Sequence, residues 1–161
     1  MELEVKNKII ALENFFKSMK ALRDEKILIN KKDFTCQIGE WLVEVLYNGK
    51  RAQNGIQKGW DVQVNNKYIQ VKTHAKASNN TNRWSAIEKE SSEKIDELII
   101  IIFSPDYKLK EFYKVPWEEA ILHINLRGKQ KPRHEINWSS IKQFQIQNNE
   151  LPNQELISFL S

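Results

Sequence analysis

Two short stretches of the chain, residues 59–64 and 67–74, alternate apolar and polar positions, and Asn65-Asn66 separates them. Alternation at period two marks a half-buried strand, and asparagine tolerates the positive φ of a tight turn, so the pattern predicts a β-hairpin. With a two-residue loop, Val64 pairs with Lys67 and Asp61 comes opposite Gln70. Trp60, Val62, Val64, Ile69 and Val71 then share a core face. Asp61, Gln63, Tyr68, Gln70, Lys72 and His74 share the other.

The remaining periodicity is helical before this hairpin and mixed after it. Val5, Ile9, Leu12, Phe16 and Met19 recur at helical spacing and predict an amphipathic helix over 3–22. A charged connection, 20–32, follows. Asp33 or Thr35 is placed to cap a second helix that runs to about Asn48 and stops at Gly49. Residues 50–58 and 78–83 read as polar loops, and 84–94 is ambiguous, with a short helix expected near 91–97. The continuous apolar run after it predicts a buried strand over 97–104. Pro105-Asp106-Tyr107 turns the chain into a strand at 111–115. Pro116 suits the first turn of a helix reaching about His123. A strand at 144–146 and a short C-terminal helix complete the tail.

Composition narrows the class. The 161 residues, 40% of them hydrophobic and five of them tryptophan, suit one globular domain with a substantial core. The net charge of +4 suits a polyanionic partner without requiring one. One cysteine, Cys36, excludes an internal disulfide and a cysteine-cluster zinc site. The longest apolar run is strand-sized, so neither a membrane span nor a signal peptide is expected, and the expected location is cytoplasmic. Gly-rich phosphate loops, serine elbows and paired histidine ligands are lacking.

The polar face of the hairpin carries the candidate chemistry. Opposed Cβ atoms lie about 4.5–5.5 Å apart, close enough for one metal ion to touch Asp61 and Gln70 with Lys72 beside it. A second acid is available on the preceding helix. At about 100° per residue, Ile38, Trp41, Leu42 and Val45 form the main apolar stripe. Gln37, Glu44 and Asn48 form a polar one. Glu40 lies on a semi-apolar side with Cys36, Val43 and Tyr47, so Glu40 is expected to be enclosed and Glu44 solvated. An enclosed carboxylate needs a partner.

Asp61 followed by Gln70-Val71-Lys72 resembles the active-site hairpin of the PD-(D/E)xK nuclease superfamily. In that hairpin an Asp ends one strand and acid-x-Lys lies on the next. Here Gln70 replaces the first acid, and Trp60 stands where a proline often precedes the Asp. Gly39-Glu40 resembles the Gly-Glu of the helix before the hairpin. The resemblance covers about 34–123 and implies an α/β (α+β) restriction endonuclease-like core, a mixed central β-sheet flanked by helices. It implies a metal-dependent DNA endonuclease using Mg2+ or Mn2+. Glu40, Asp61, Gln70 and the Val71 carbonyl would be ligands, and Lys72 would stabilise developing charge. Cutting both strands would favour a homodimer. A catalytically inactive DNA-binding or scaffold module of the same fold is the alternative, and a protein-binding domain with a coincidental hairpin is a third reading.

Contacts to DNA are expected from His74, Lys76, Asn79, Asn80 and Arg83 beside the hairpin, and from Lys131 and Arg133 in a basic tail cluster with Arg127, Lys129 and His134. Lys50, Arg51 and Lys58 form a further positive group. Phosphate contacts supply most non-specific affinity, and asparagines read base edges.

Overall fold

A computed structural model of the chain describes residues 2–53, 59–75, 82–88 and 94–161. The fold is mixed α/β. Helix α1 is Glu2–Asp24 and α2 is Phe34–Tyr47. Strands β1 (Lys50–Arg51), β2 (Val62–Val64), β3 (Lys67–Ala75), β5 (Glu97–Phe103), β6 (Leu109–Pro116) and β9 (Gln145–Ile146) form one six-stranded sheet. Its order is β1-β2-β3-β5-β6-β9, with β3 and β5 parallel and the other neighbours antiparallel. A second sheet has the order β4-β8-β7, built from Trp84–Ala86, Arg133–Asn137 and Ile124–Arg127.

The apolar run predicted as a buried strand is β5, and all seven of its residues are buried. Burial on both faces explains why this strand does not alternate. One face carries Ile99, Ile101 and Phe103, covered by α2 and by helix α4 (Gln154–Leu160) through Ile157. The other carries Leu98, Ile100 and Ile102, covered by Ile136, Trp138 and Ile141 of the small sheet and the turn of 3-10 helix after it. At about 1.5–3 kcal/mol for each buried aliphatic side chain, β5 is the main apolar anchor of both layers.

The expected hairpin is present with the expected register. Val64 pairs with Lys67, Gln63 with Tyr68 and Val62 with Ile69. Asn65 takes φ 54°, the left-handed conformation that the turn needs. The first strand is shorter than the alternation suggested, because the ladder ends at Val62. The Asp61 amide donates to the Ile69 carbonyl at 2.8 Å rather than pairing with Gln70. This irregularity breaks the alternation: Trp60, expected on the core face, lies against the Tyr68 ring at 5.1 Å between centroids.

Several other expectations are corrected. Lys50–Arg51, read as loop, is strand β1, because Arg51 is buried and locked to Glu44 and to the Lys26 and Ile27 carbonyls. Residues 94–96 are not helical, and the expected helix at 91–93 lies outside the described residues. The helix after Pro116 keeps one α-turn, α3 (Trp117–Ala120), before tightening into 3-10 geometry over Ile121–His123. The tail contains the β7–β8 hairpin, which has too few residues to show a period.

Helix α2 is capped as expected, with the Asp33 carboxylate accepting from the Thr35 amide at 2.9 Å. Its buried face, however, centres on Gly39, Leu42, Val43 and Leu46. The stripe of Ile38, Trp41 and Val45 is only half-buried. Gly39 explains the rotation: a Cβ there would sit 1.8 Å from Thr73 Oγ1 and 2.9 Å from Thr73 Cβ, so only glycine lets α2 approach β3 this closely. Gly39→Ala is expected to destabilise the fold by about 1–3 kcal/mol, the usual cost of overpacking. Adding Thr73→Ala should recover only part of it, because the Thr73 Cβ contact remains. Urea denaturation of the single and double variants checks this, and a neutral Gly39→Ala would refute the close approach.

Candidate functional site

Beyond Val62, β3 has no β2 partner, and its edge from Gln70 onward opens into a cavity of about 390 Å3. Its walls are α2 (Cys36, Glu40), the hairpin (Gly59, Asp61, Gln70, Lys72) and the end of β4 with the chain just after it (Ala86, Glu88), with Lys32 at one side. One place therefore collects Glu40, Asp61, Gln70, Val71, Lys72 and His74, which the sequence had nominated from three separate segments.

Asp61 is placed by the break in the ladder. Its Oδ2 accepts from the Val71 amide at 2.8 Å, capping an edge donor that β2 leaves unpaired. The N–H and C=O of one strand residue face the same edge, so the Val71 carbonyl opens on the Asp61 side. Gln70 is 3% exposed. Its Nε2 donates to the Gly59 carbonyl at 3.1 Å, and its Oε1 has no hydrogen-bond partner among the described residues. A buried acceptor without a donor is costly, on the order of 1–3 kcal/mol, and it is a hard-oxygen donor to any cation that enters.

Glu40 is 3% exposed, whereas the Glu44 side chain is 28% exposed and pairs with Arg51. The expected choice between the two acids agrees with this burial. What joins Glu40 to Asp61 is Lys32: its Nζ lies 2.8 Å from Glu40 Oε1 and 2.8 Å from Asp61 Oδ1. Burial disfavours the ammonium, but Asp61 and Glu40 outweigh it and hold the lysine well above its usual range. Burial raises the Glu40 carboxyl, the Asp61 charge raises it further, and Lys32 offsets only part of the rise. Burial likewise pushes up the Cys36 thiol, with Asp33 and Glu40 adding to the effect.

Lys32 was not recognisable in the sequence, because it sits in a loop with no period. Gln37 fixes that loop. Its Oε1 accepts from the Ile29 and Asn30 amides at 2.7 and 3.0 Å, and its Nε2 donates to the Lys32 carbonyl at 2.7 Å. Gln37 lies on the polar stripe of the helix by sequence, but it is 2% exposed, because these bonds satisfy it inside the structure.

The other nominated residues divide. Lys72 lines the cavity and makes no hydrogen bond or ion pair with the described residues. His74 also lines it, but its Nε2 is bonded to Ser85 Oγ at 2.7 Å and its ring lies 5.1 Å from that of Trp138. Arg83 is outside the cavity lining and binds both oxygens of Glu111, at 2.8 and 2.7 Å. Arg133 pairs with Glu135 and lies over the Trp84 ring. Lys131 is exposed in the β7–β8 turn. Neither of these two lines the cavity. Lys58, Lys76, Asn79 and Asn80 lie outside the described residues.

Among the described residues, no group of three His, Cys, Asp or Glu side chains converges on one point. The oxygen donors here are two carboxylates, one neutral amide and one main-chain carbonyl. Hard oxygens with few charges suit a magnesium-type ion that keeps several waters. The fit rests on two observations: the orphaned Gln70 Oε1, and a position between Glu40 and Asp61 that already holds a cation.

No protein-family model and no curated protein matches the chain. No helix among the described residues is long and apolar enough to cross a membrane.

Lys32→Met would leave two carboxylates facing each other in a mostly buried site. The expected loss at pH 7 is about 3 kcal/mol, near the lower end for breaking a buried ion pair because Lys32 keeps some exposure. With the ammonium gone, the Glu40 pKa rises above its already raised native value. A raised acid favours the folded state at lower pH, so the deficit should shrink between pH 7 and about pH 5. Urea denaturation at both pH values checks this, and a deficit that is constant or grows on acidification contradicts the bridging role.

Proposed function

We propose that this chain is a metal-dependent DNA endonuclease with a restriction endonuclease-like core of the PD-(D/E)xK type, in the Gln-x-Lys form. One observation carries the reading. Glu40 of α2 and Asp61 of the hairpin converge on a single cation position, at 2.8 Å each, beside the Gln70-Val71-Lys72 strand. Two acids from separate elements, an amide oxygen and a lysine are the parts that the resemblance calls for.

Glu40, Asp61, Gln70 Oε1 and the Val71 carbonyl would hold Mg2+ or Mn2+. When bound, such an ion polarises a phosphoryl oxygen and lowers the pKa of water. The chain's own residues do the rest. Lys72, without a partner among the described residues, stabilises negative charge developing on the phosphoryl oxygens, an effect worth roughly 3–4 kcal/mol at comparable sites. Water attacks phosphorus in line and gives up a proton to solvent, the phosphorus–oxygen ester bond breaks, and the leaving oxygen takes a proton from solvent. Lys32 has to leave the carboxylates as the divalent ion arrives, which its flexible four-carbon stem permits. The neutral Gln70 keeps affinity for the ion modest. His74 is a less mobile contact than its strand position suggested, because Ser85 and Trp138 hold its ring.

The Lys32 bridge also favours a second reading, a DNA-binding module of the same fold without catalysis. There the ammonium bridges both acids permanently and no ion enters. Calorimetric titration with Mg2+ and Mn2+ separates the two readings.

Supercoiled plasmid should be cleaved with Mg2+ or Mn2+ and left intact in EDTA. Lys72→Ala is expected to lower the rate at least about 100-fold with unchanged stability, because it removes transition-state charge stabilisation and no described contact. Asp61→Asn should lower it similarly but also cost some stability, since the carboxylate holds Lys32 as well as the Val71 amide. Gln70→Glu should tighten Mn2+ binding. If the wild type neither cleaves supercoiled, linear or branched DNA nor binds either ion, the nuclease reading fails and the non-catalytic one stands.

A further inference from the structure

Residues 5–18 of α1 are all exposed, and burial begins only at Met19 and Leu22, where the helix meets the body. The Ile27 and Leu28 amides bond back to the Leu22 carbonyl and fix that junction. Upstream, Val5, Ile9, Leu12, Phe15 and Phe16 are each about half exposed, from 49% to 61%. Together these side chains present several hundred Å2 of apolar surface, a substantial part of the roughly 800 Å2 per partner of a standard interface. Patches of this size mark contact sites.

The apolar positions have a period. Val5, Ile9, Leu12, Phe16 and Met19 follow one another by steps of four, three, four and three. That is the seam of a coiled coil, and Asn7, Asn14 and Ser18 occupy the opposite side. We propose that α1 pairs with α1 of a second copy of this chain, as an antiparallel two-helix coiled coil.

Orientation follows from size and charge. In the antiparallel register, Val5 packs against the partner's Phe16 and Ile9 against the partner's Leu12, so a small residue faces a large one in the outer layers. Lys6 and Glu13 both flank the seam on its same side, where antiparallel strands bring like positions together. Lys6 therefore faces the partner's Glu13, twice per dimer by symmetry. A parallel pair would instead stack Phe16 on the partner's Phe16 and set Arg23 against the partner's Arg23. The contact uses no residue of the cavity, so it is independent of the proposed activity.

Sedimentation equilibrium of the full chain, in EDTA and without DNA, tests it across roughly 5–200 µM. The mass should rise with concentration from the single-chain 19.0 kDa toward twice that value. Phe16→Lys and Ile9→Lys should hold the single-chain mass. Both positions are exposed, so the body should keep its unfolding midpoint. Lys6→Glu or Glu13→Lys alone should weaken the dimer about fivefold, and the two together should restore it. A single-chain mass at every concentration, or a dimer that survives Phe16→Lys, overturns the proposal. Failure of the double charge swap to restore association overturns the antiparallel arrangement.

Discussion

The ammonium of Lys32, 2.8 Å from Glu40 and 2.8 Å from Asp61, is the contact on which the site depends. Two carboxylates brought this close in a mostly buried place repel each other, and a positive charge between them relieves that repulsion. The chain supplies that charge from its own loop. Gln37 holds the loop, Asp33 caps the helix that carries Glu40, and Gly39 lets that helix lie against Thr73. Each of these residues acts on the cavity indirectly, by setting the position of one of the three charged partners.

A lysine in this position has two physical consequences. It keeps the acids together when no other cation is present, so the site is assembled before any ion arrives. It would also compete with the ion of the proposed function for the same oxygens. On the proposed reading a divalent ion would gain more from two carboxylates than a single ammonium does, and it would gain further from Gln70 Oε1, which has no hydrogen-bond partner among the described residues. The ammonium donates nothing to that amide oxygen among the described residues, so the orphan is the feature that favours the proposed metal reading over a plain ion-pair network.

Much of the arrangement was readable in the residues. Asn65-Asn66 and the flanking alternation were enough for the Val64–Lys67 register, and the enclosure of Glu40 rather than Glu44 followed from helix geometry. The ladder break at Asp61 was not readable, because alternation continues through Trp60 in the sequence while a backbone irregularity reverses it in space. Lys32 and Gln37 were missed for a related reason: a loop held by side-chain bonds to main-chain amides leaves no periodic trace. The rotation of α2 depended on one glycine meeting one threonine from another element, a packing relation that no helical wheel contains. Arg83 and Arg133 looked available as cations and are instead paired with Glu111 and Glu135, acids 28 and two residues away.

On the proposed reading, the Lys32 ammonium keeps a place that a divalent ion takes. Crystals of the protein soaked in Mn2+, with anomalous diffraction measured at the manganese edge, test it most directly. One strong anomalous peak is expected between Glu40 and Asp61, within reach of Gln70 Oε1, with the Lys32 side chain turned away from both acids. Lys32 still bridging the two carboxylates, with no manganese in the cavity at millimolar concentration, would contradict it.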